Sequence, residues 1–144
     1  MEYLIGLLLA VAVAGFAAVA GFDRERSFYA TVLVVVATYY ILFAAMGASR
    51  GTLFLEILVV IGFAAAAAVG YRKSAWVLAA GLVGHGVFDF FHHLLIDNPG
   101  VPRWWPGFCL GFDAAFGALL AMRLVSRSHR PVRTLRTLWR RIPS

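Results

Sequence analysis

The chain has 144 residues, 62% of them hydrophobic and 14% charged, with a mean hydropathy of +0.83 and a formal net charge of +6. A soluble domain is typically about half apolar and about a quarter charged, so one small aqueous core cannot absorb this excess of apolar side chains. A single cysteine, Cys109, excludes an intrachain disulfide framework, and a nucleic-acid surface is argued against by the placement of the basic residues, most of which follow the last apolar run.

Five apolar runs are long enough to cross a bilayer, which takes about 20 residues each: Tyr3 to Gly21, Phe28 to Ala48, Thr52 to Gly70, Ala75 to Ile96 and Trp104 to Met122. A span must satisfy its own backbone hydrogen bonds, which leaves helices or closed barrels. These runs are continuous and rich in Ala, Leu, Val and Gly, without the alternation of barrel strands. The predicted fold is all-α, an up-down bundle of five transmembrane helices over residues 1–123, with short connections making chain neighbours into antiparallel spatial neighbours. In the first run, Ala18-Val19-Ala20 is similar to a signal-peptide cleavage site. Glu2 stands in place of a basic n-region, however, and the run reads as a retained anchor.

Lys and Arg collect on the cytoplasmic side of a membrane. With the C-terminus inside, Arg24, Arg26, Arg72, Lys73 and the seven arginines from Arg123 to Arg141 all lie inside, leaving only Arg50 and Arg103 outside. The N-terminus and the Asp97 to Arg103 loop are then expected outside, with Trp104 and Trp105 at the outer interface. The expected location is a cell membrane crossed several times, of the bacterial inner-membrane kind. Residues 124–144 form a basic tail in which Val132, Leu135, Leu138, Trp139 and Ile142 share one helical face, and Arg133, Arg136 and Arg140 another. That pattern predicts an amphipathic helix against anionic lipids, with a plain polybasic topology signal as the other reading. His129 is expected to be solvated.

Ionisable groups inside a span are costly and mark functional sites by default. The first two spans carry little of this kind beyond Thr31, Thr38, Tyr39 and Tyr40, whereas the third holds Glu56, the fourth His85, Asp89, His92 and His93, and the fifth Cys109 and Asp113. At about 100° per residue, Asp89 lies about 40° from His85, His92 about 20° to the other side and His93 about 80° away. Residues four apart on one helical face are the arrangement by which a helix grips a metal. In the expected orientation all these groups fall between the bilayer midplane and its outer surface, where three antiparallel helices bring them into one pocket under the Asp97 to Arg103 loop.

Imidazoles with carboxylates suit Zn, Fe or Mn, whereas calcium prefers oxygen alone. His85, Asp89, His92 or His93, and Asp113 are the candidate metal ligands. Glu56 and Asp113 are the candidate catalytic residues, Glu56 as general base or as a partner of a ligand. Angle alone does not choose between His92 and His93. Without a metal, the same residues form a proton relay. Cys109, Tyr39 and Tyr40 read as packing residues, Asn98-Pro99-Gly100 as a turn, and Pro102 to Pro106 as a lid or substrate contact. The chain has no Walker motif, dinucleotide fingerprint, serine elbow or CxxC pair.

The stretch from Gly84 to Gly117 resembles a group of small bacterial multispanning proteins, which implies membrane location. A looser likeness is to the membrane hydrolase superfamily that contains the alkaline ceramidases, which combine histidines and an aspartate in an intramembrane zinc site. Those proteins have seven spans and draw their histidines from separate helices, whereas His85, His92 and His93 share one, so no residue roles follow. The function expected from the cluster is a metal-dependent membrane hydrolase or oxidoreductase acting on an apolar substrate. The alternatives are proton or metal-ion transport and a scaffold subunit without chemistry. Haem held between two histidines would need a homo-oligomer.

Overall fold

The computed structural model describes residues 1–128, and these are helical throughout apart from short connections. The helices are α1 (Glu2–Ala20), α2 (Arg26–Gly47), α3 (Arg50–Arg72), α4 (Ala75–Leu95) and α5 (Trp105–Ser128), with a 3-10 turn at Phe22–Arg24. All five are long and apolar enough to cross a membrane. The breaks follow local chemistry. Gly21 ends α1 in the left-handed conformation at φ 82°, which costs glycine nothing. Ser49 and Ser74 cap α3 and α4 by accepting from the backbone N–H of Thr52 and Trp76. The proposed tail helix lies outside the described residues, and α5 itself continues through Ser128.

The bundle is apolar on its outside and buries a set of ionisable residues within an otherwise apolar interior. Leu4, Leu8, Phe16, Leu58, Ile61 and Leu94 are exposed, while Glu56, His85, Asp89, His92 and Asp113 are buried. An exposed apolar surface of this extent suits lipid rather than water as the solvent.

Helix order departs from the expected chain-neighbour packing at one place. α5 packs along both α4 and α1, α2 packs on α3, and α4 meets α3 and α2, but α1 and α2 share no extended contact. The buried face of α1 is Gly6, Ala10, Ala14 and Ala17, a stripe without bulk. It seats on the glycines of α5: a Cβ at Gly111 would meet the Tyr3 carbonyl, and one at Gly6 the Phe108 carbonyl. Small residues let these two backbones touch, and that contact outweighs the short link between α1 and α2.

At the end of the bundle away from the α4–α5 loop, Arg123 ties three elements together. Its guanidinium lies 2.9 Å from Asp23 Oδ2 and donates to the Tyr29 hydroxyl at 3.2 Å and the Ala14 carbonyl at 3.4 Å. One of the arginines read only as a topology signal is thus also a structural clamp.

Candidate metal centre

His85 sits halfway along α4, on the face turned to α5. Gly86 makes room there: a Cβ in its place would stand 3.1 Å from Asp113 Cβ and 3.3 Å from Leu110 Cα. The two backbones therefore approach closely enough for the short Asp113 side chain to span the gap. His85 Nδ1 lies 2.8 Å from Asp113 Oδ2 and 3.4 Å from Asp89 Oδ2, the latter one turn along the same helix. Side-chain exposure is 1% or less for all three residues. One potential ligand atom from each falls within 4.8 Å of the others, a spacing that can hold a metal ion.

The carboxylates have capacity to spare. Neither oxygen of Asp89 has a hydrogen-bond partner among the described residues, nor does Asp113 Oδ1 or the Tyr40 hydroxyl. A buried polar group left unpaired costs about 1–3 kcal/mol, and more when charged. Hard oxygen donors converging beside an imidazole are the donor set that a divalent cation satisfies, so these residues fit one. Tyr40 and Cys109 are further polar neighbours of Asp89. Phe63 walls the other side, its ring 4.7 Å from that of His85.

His92 does not join this group. Its Nε2 meets Glu56 Oε1 at 2.8 Å, and the Asn98 side-chain amide donates to the same oxygen at 2.8 Å. The single pocket expected from the sequence is therefore two adjoining ones, with Tyr40 between them: its ring centroid is 4.1 Å from that of His92 and 6.4 Å from that of His85. The cause is that α4 touches different helices on its two flanks. Each imidazole turns to the carboxylate at its own level, His85 to Asp113 on α5 and His92 to Glu56 on α3. His93 is exposed and belongs to neither pocket. The sequence leaves His92 and His93 as alternatives at the cluster, and neither stands in the group of His85, Asp89 and Asp113.

Comparison with protein-family models, curated proteins and solved structures gives no match. The side chains alone carry the functional reading.

Two residues of the site were not read as such from the sequence. Asn98 looked like a turn residue, yet it is buried, donates to Glu56, and also reaches the Tyr40 carbonyl at 3.3 Å. Tyr40 looked like packing, yet it separates the two polar pockets. The one sequence signal is that Tyr40 belongs to the Thr38-Tyr39-Tyr40 run, a polar interruption in the otherwise apolar second span.

Two hollows approach these pockets. A cavity of about 370 Å³, bordered by His92, His93, Asp97, Asn98 and Arg103, opens at the α4–α5 loop. A groove of about 500 Å³ runs between α1 and α2, with apolar walls such as Val13, Val35 and Phe112, and reaches Cys109 on α5.

Proposed function

We propose that this chain is a multi-pass protein of a cell membrane, with its N-terminus outside and its basic tail on the cytoplasmic face against anionic lipids. In this reading, His85, Asp89 and Asp113 hold a divalent ion, Zn, Fe or Mn, for hydrolysis of an apolar substrate. The observation that carries it is the convergence of one imidazole and two carboxylates from two helices, fully buried, with three of the four carboxylate oxygens short of conventional hydrogen bonds.

Three protein ligands are the number that catalytic metal sites use while keeping a coordination position open, and a metal so held supplies Lewis acidity and an acidified water. The chain's own residues have separable tasks around it. Asp113 fixes the orientation of the His85 ring. Glu56, already engaged by two donors, orients His92 rather than acting as a free base, and His92 borders the cavity where it can accept a proton. Hydrolysis is favoured over ion transport by the other half of the bundle, where Leu78, Ala79, Leu82, Phe116 and Leu120 fill the core. A transport path would need polar groups to continue there.

The test is metal analysis of protein purified without chelators, beside His85→Ala and Asp89→Ala. Stoichiometric metal in the parent and its loss from both variants supports the reading. A folded parent that neither carries nor takes up Zn, Fe or Mn removes it.

A further inference from the structure

The cavity at the α4–α5 loop carries charges of both signs that do not neutralise one another. Arg103 and Asp97 both border it, as does Glu2 from the start of α1. Among the described residues Arg103 forms no ion pair, Asp97 engages only through its backbone carbonyl, which accepts from Thr52 Oγ1 at 3.1 Å, and Glu2 meets only the exposed Met1 amino group at 3.3 Å. Opposite charges kept apart around one hollow match a ligand that itself carries separated charges. Glu2 also borders an apolar hollow of about 530 Å³ walled by Ile5, Trp104, Trp105 and Phe108. A polar cavity and an apolar hollow sharing one wall residue form an amphiphile-shaped pair, and tryptophans are favoured where lipid headgroups meet hydrocarbon.

We propose that this pair binds a zwitterionic phospholipid, the phosphate on Arg103, the ammonium between Asp97 and Glu2, and hydrocarbon along Trp104 and Phe108. The proposal rests on the metal-hydrolase reading and names its substrate class. His92, at which the second polar pocket begins, also borders this cavity, so a headgroup held here lies against that pocket. The loop is preset for the task. Asn98 is anchored to Glu56, and the Gly100 N–H donates to Asn98 Oδ1 at 3.2 Å, which holds Asp97 and Arg103 at the cavity rim. Guanidinium recognises phosphate by paired charge-assisted hydrogen bonds, and a lysine or neutral residue does not reproduce that geometry.

The test is calorimetric titration of the full chain in detergent with three probes: dihexanoyl-phosphatidylethanolamine, dihexanoyl-phosphatidylglycerol and glycerophosphoethanolamine. The expected order is tightest binding of the first, with Arg103→Gln and Asp97→Asn each weakening it by about fivefold or more, the scale of a lost charge-assisted contact. Equal binding of the phosphatidylglycerol probe overturns the zwitterion assignment, and equal binding of the water-soluble headgroup overturns the lipid assignment. Metal analysis of the same parent preparation separates this proposal from the one beneath it. Lipid binding without metal in the parent contradicts the hydrolase reading alone, and metal without lipid binding contradicts this inference alone.

Discussion

The imidazole of His85 and the carboxylate of Asp113 meet at 2.8 Å across the α4–α5 contact, and Gly86 is what brings their helices close enough. A hydrogen-bonded pair with almost no exposure ties the two halves of the site together. It also makes the site part of the stability of the bundle.

Replacing Asp113 tests that coupling. Removing one member of a buried pair leaves the other without compensation, at about 3–5 kcal/mol. Asp113→Ala is expected to lower stability on that scale in detergent micelles, with Asp113→Asn costing less because its amide oxygen still accepts from His85. Thermal unfolding followed by circular dichroism checks the order. Equal stability of both variants and the parent contradicts the pairing.

Gly86→Leu tests the close approach. The added side chain meets the Asp113 Cβ and the α5 backbone, and overpacking of this kind costs about 1–3 kcal/mol. The variant is expected to retain its helical content and lose metal, because α5 is pushed away and Asp113 no longer reaches His85. Gly84→Leu is the control, since a Cβ at Gly84 has no neighbour within 4 Å. Metal content of the two, compared after each is shown to be helical, decides the matter.

Asn98→Ala removes the anchor between the loop and Glu56. It leaves the Tyr40 carbonyl without its Asn98 donor and Glu56 with one fewer partner, an expected loss of about 1–3 kcal/mol. Hydrogen exchange is expected to accelerate across residues 97–103 and to stay unchanged at the opposite end of the bundle, where Arg123 clamps Asp23. Uniform acceleration along the chain contradicts a local anchor.

The orientation has its own test. Reporters inserted after Lys73 and after Gly100 are expected to fall on opposite sides of the membrane, the first cytoplasmic and the second outside, because basic residues collect inside. Cysteine-reactive impermeant labels at the same points give an independent reading. Both points on the same side contradicts the span arrangement.

Much of this architecture is legible in the sequence because one physical quantity, continuous apolar length, determines the helices. The span ends read from composition differ from the observed ones by a few residues, the largest shift being at α5, which runs on to Ser128. The face shared by His85 and Asp89 is legible too, since helical periodicity relates residues within one element. Relations between elements are not fixed in that way. The choice between His92 and His93 depends on where α3 stands around α4, and the 100° rule contains no information about a neighbour. The α1–α5 contact was half visible: Gly107 and Gly111 mark a close-approach surface, but the Gly6, Ala10, Ala14 and Ala17 stripe that fills it reads as ordinary span composition. Asn98 escaped because composition identifies a turn without showing which side of it is buried.

X-ray absorption of the zinc-loaded protein reads the ligands at His85, Asp89 and Asp113 without an intermediary. The expected nearest scatterers are nitrogen and oxygen only, at about 2.0–2.2 Å, with the multiple-scattering signature of a single imidazole that disappears in His85→Ala. A shell at about 2.3 Å, the distance of a thiolate, would place the metal on Cys109 instead, and that result, like an imidazole signal unchanged in His85→Ala, contradicts the site described.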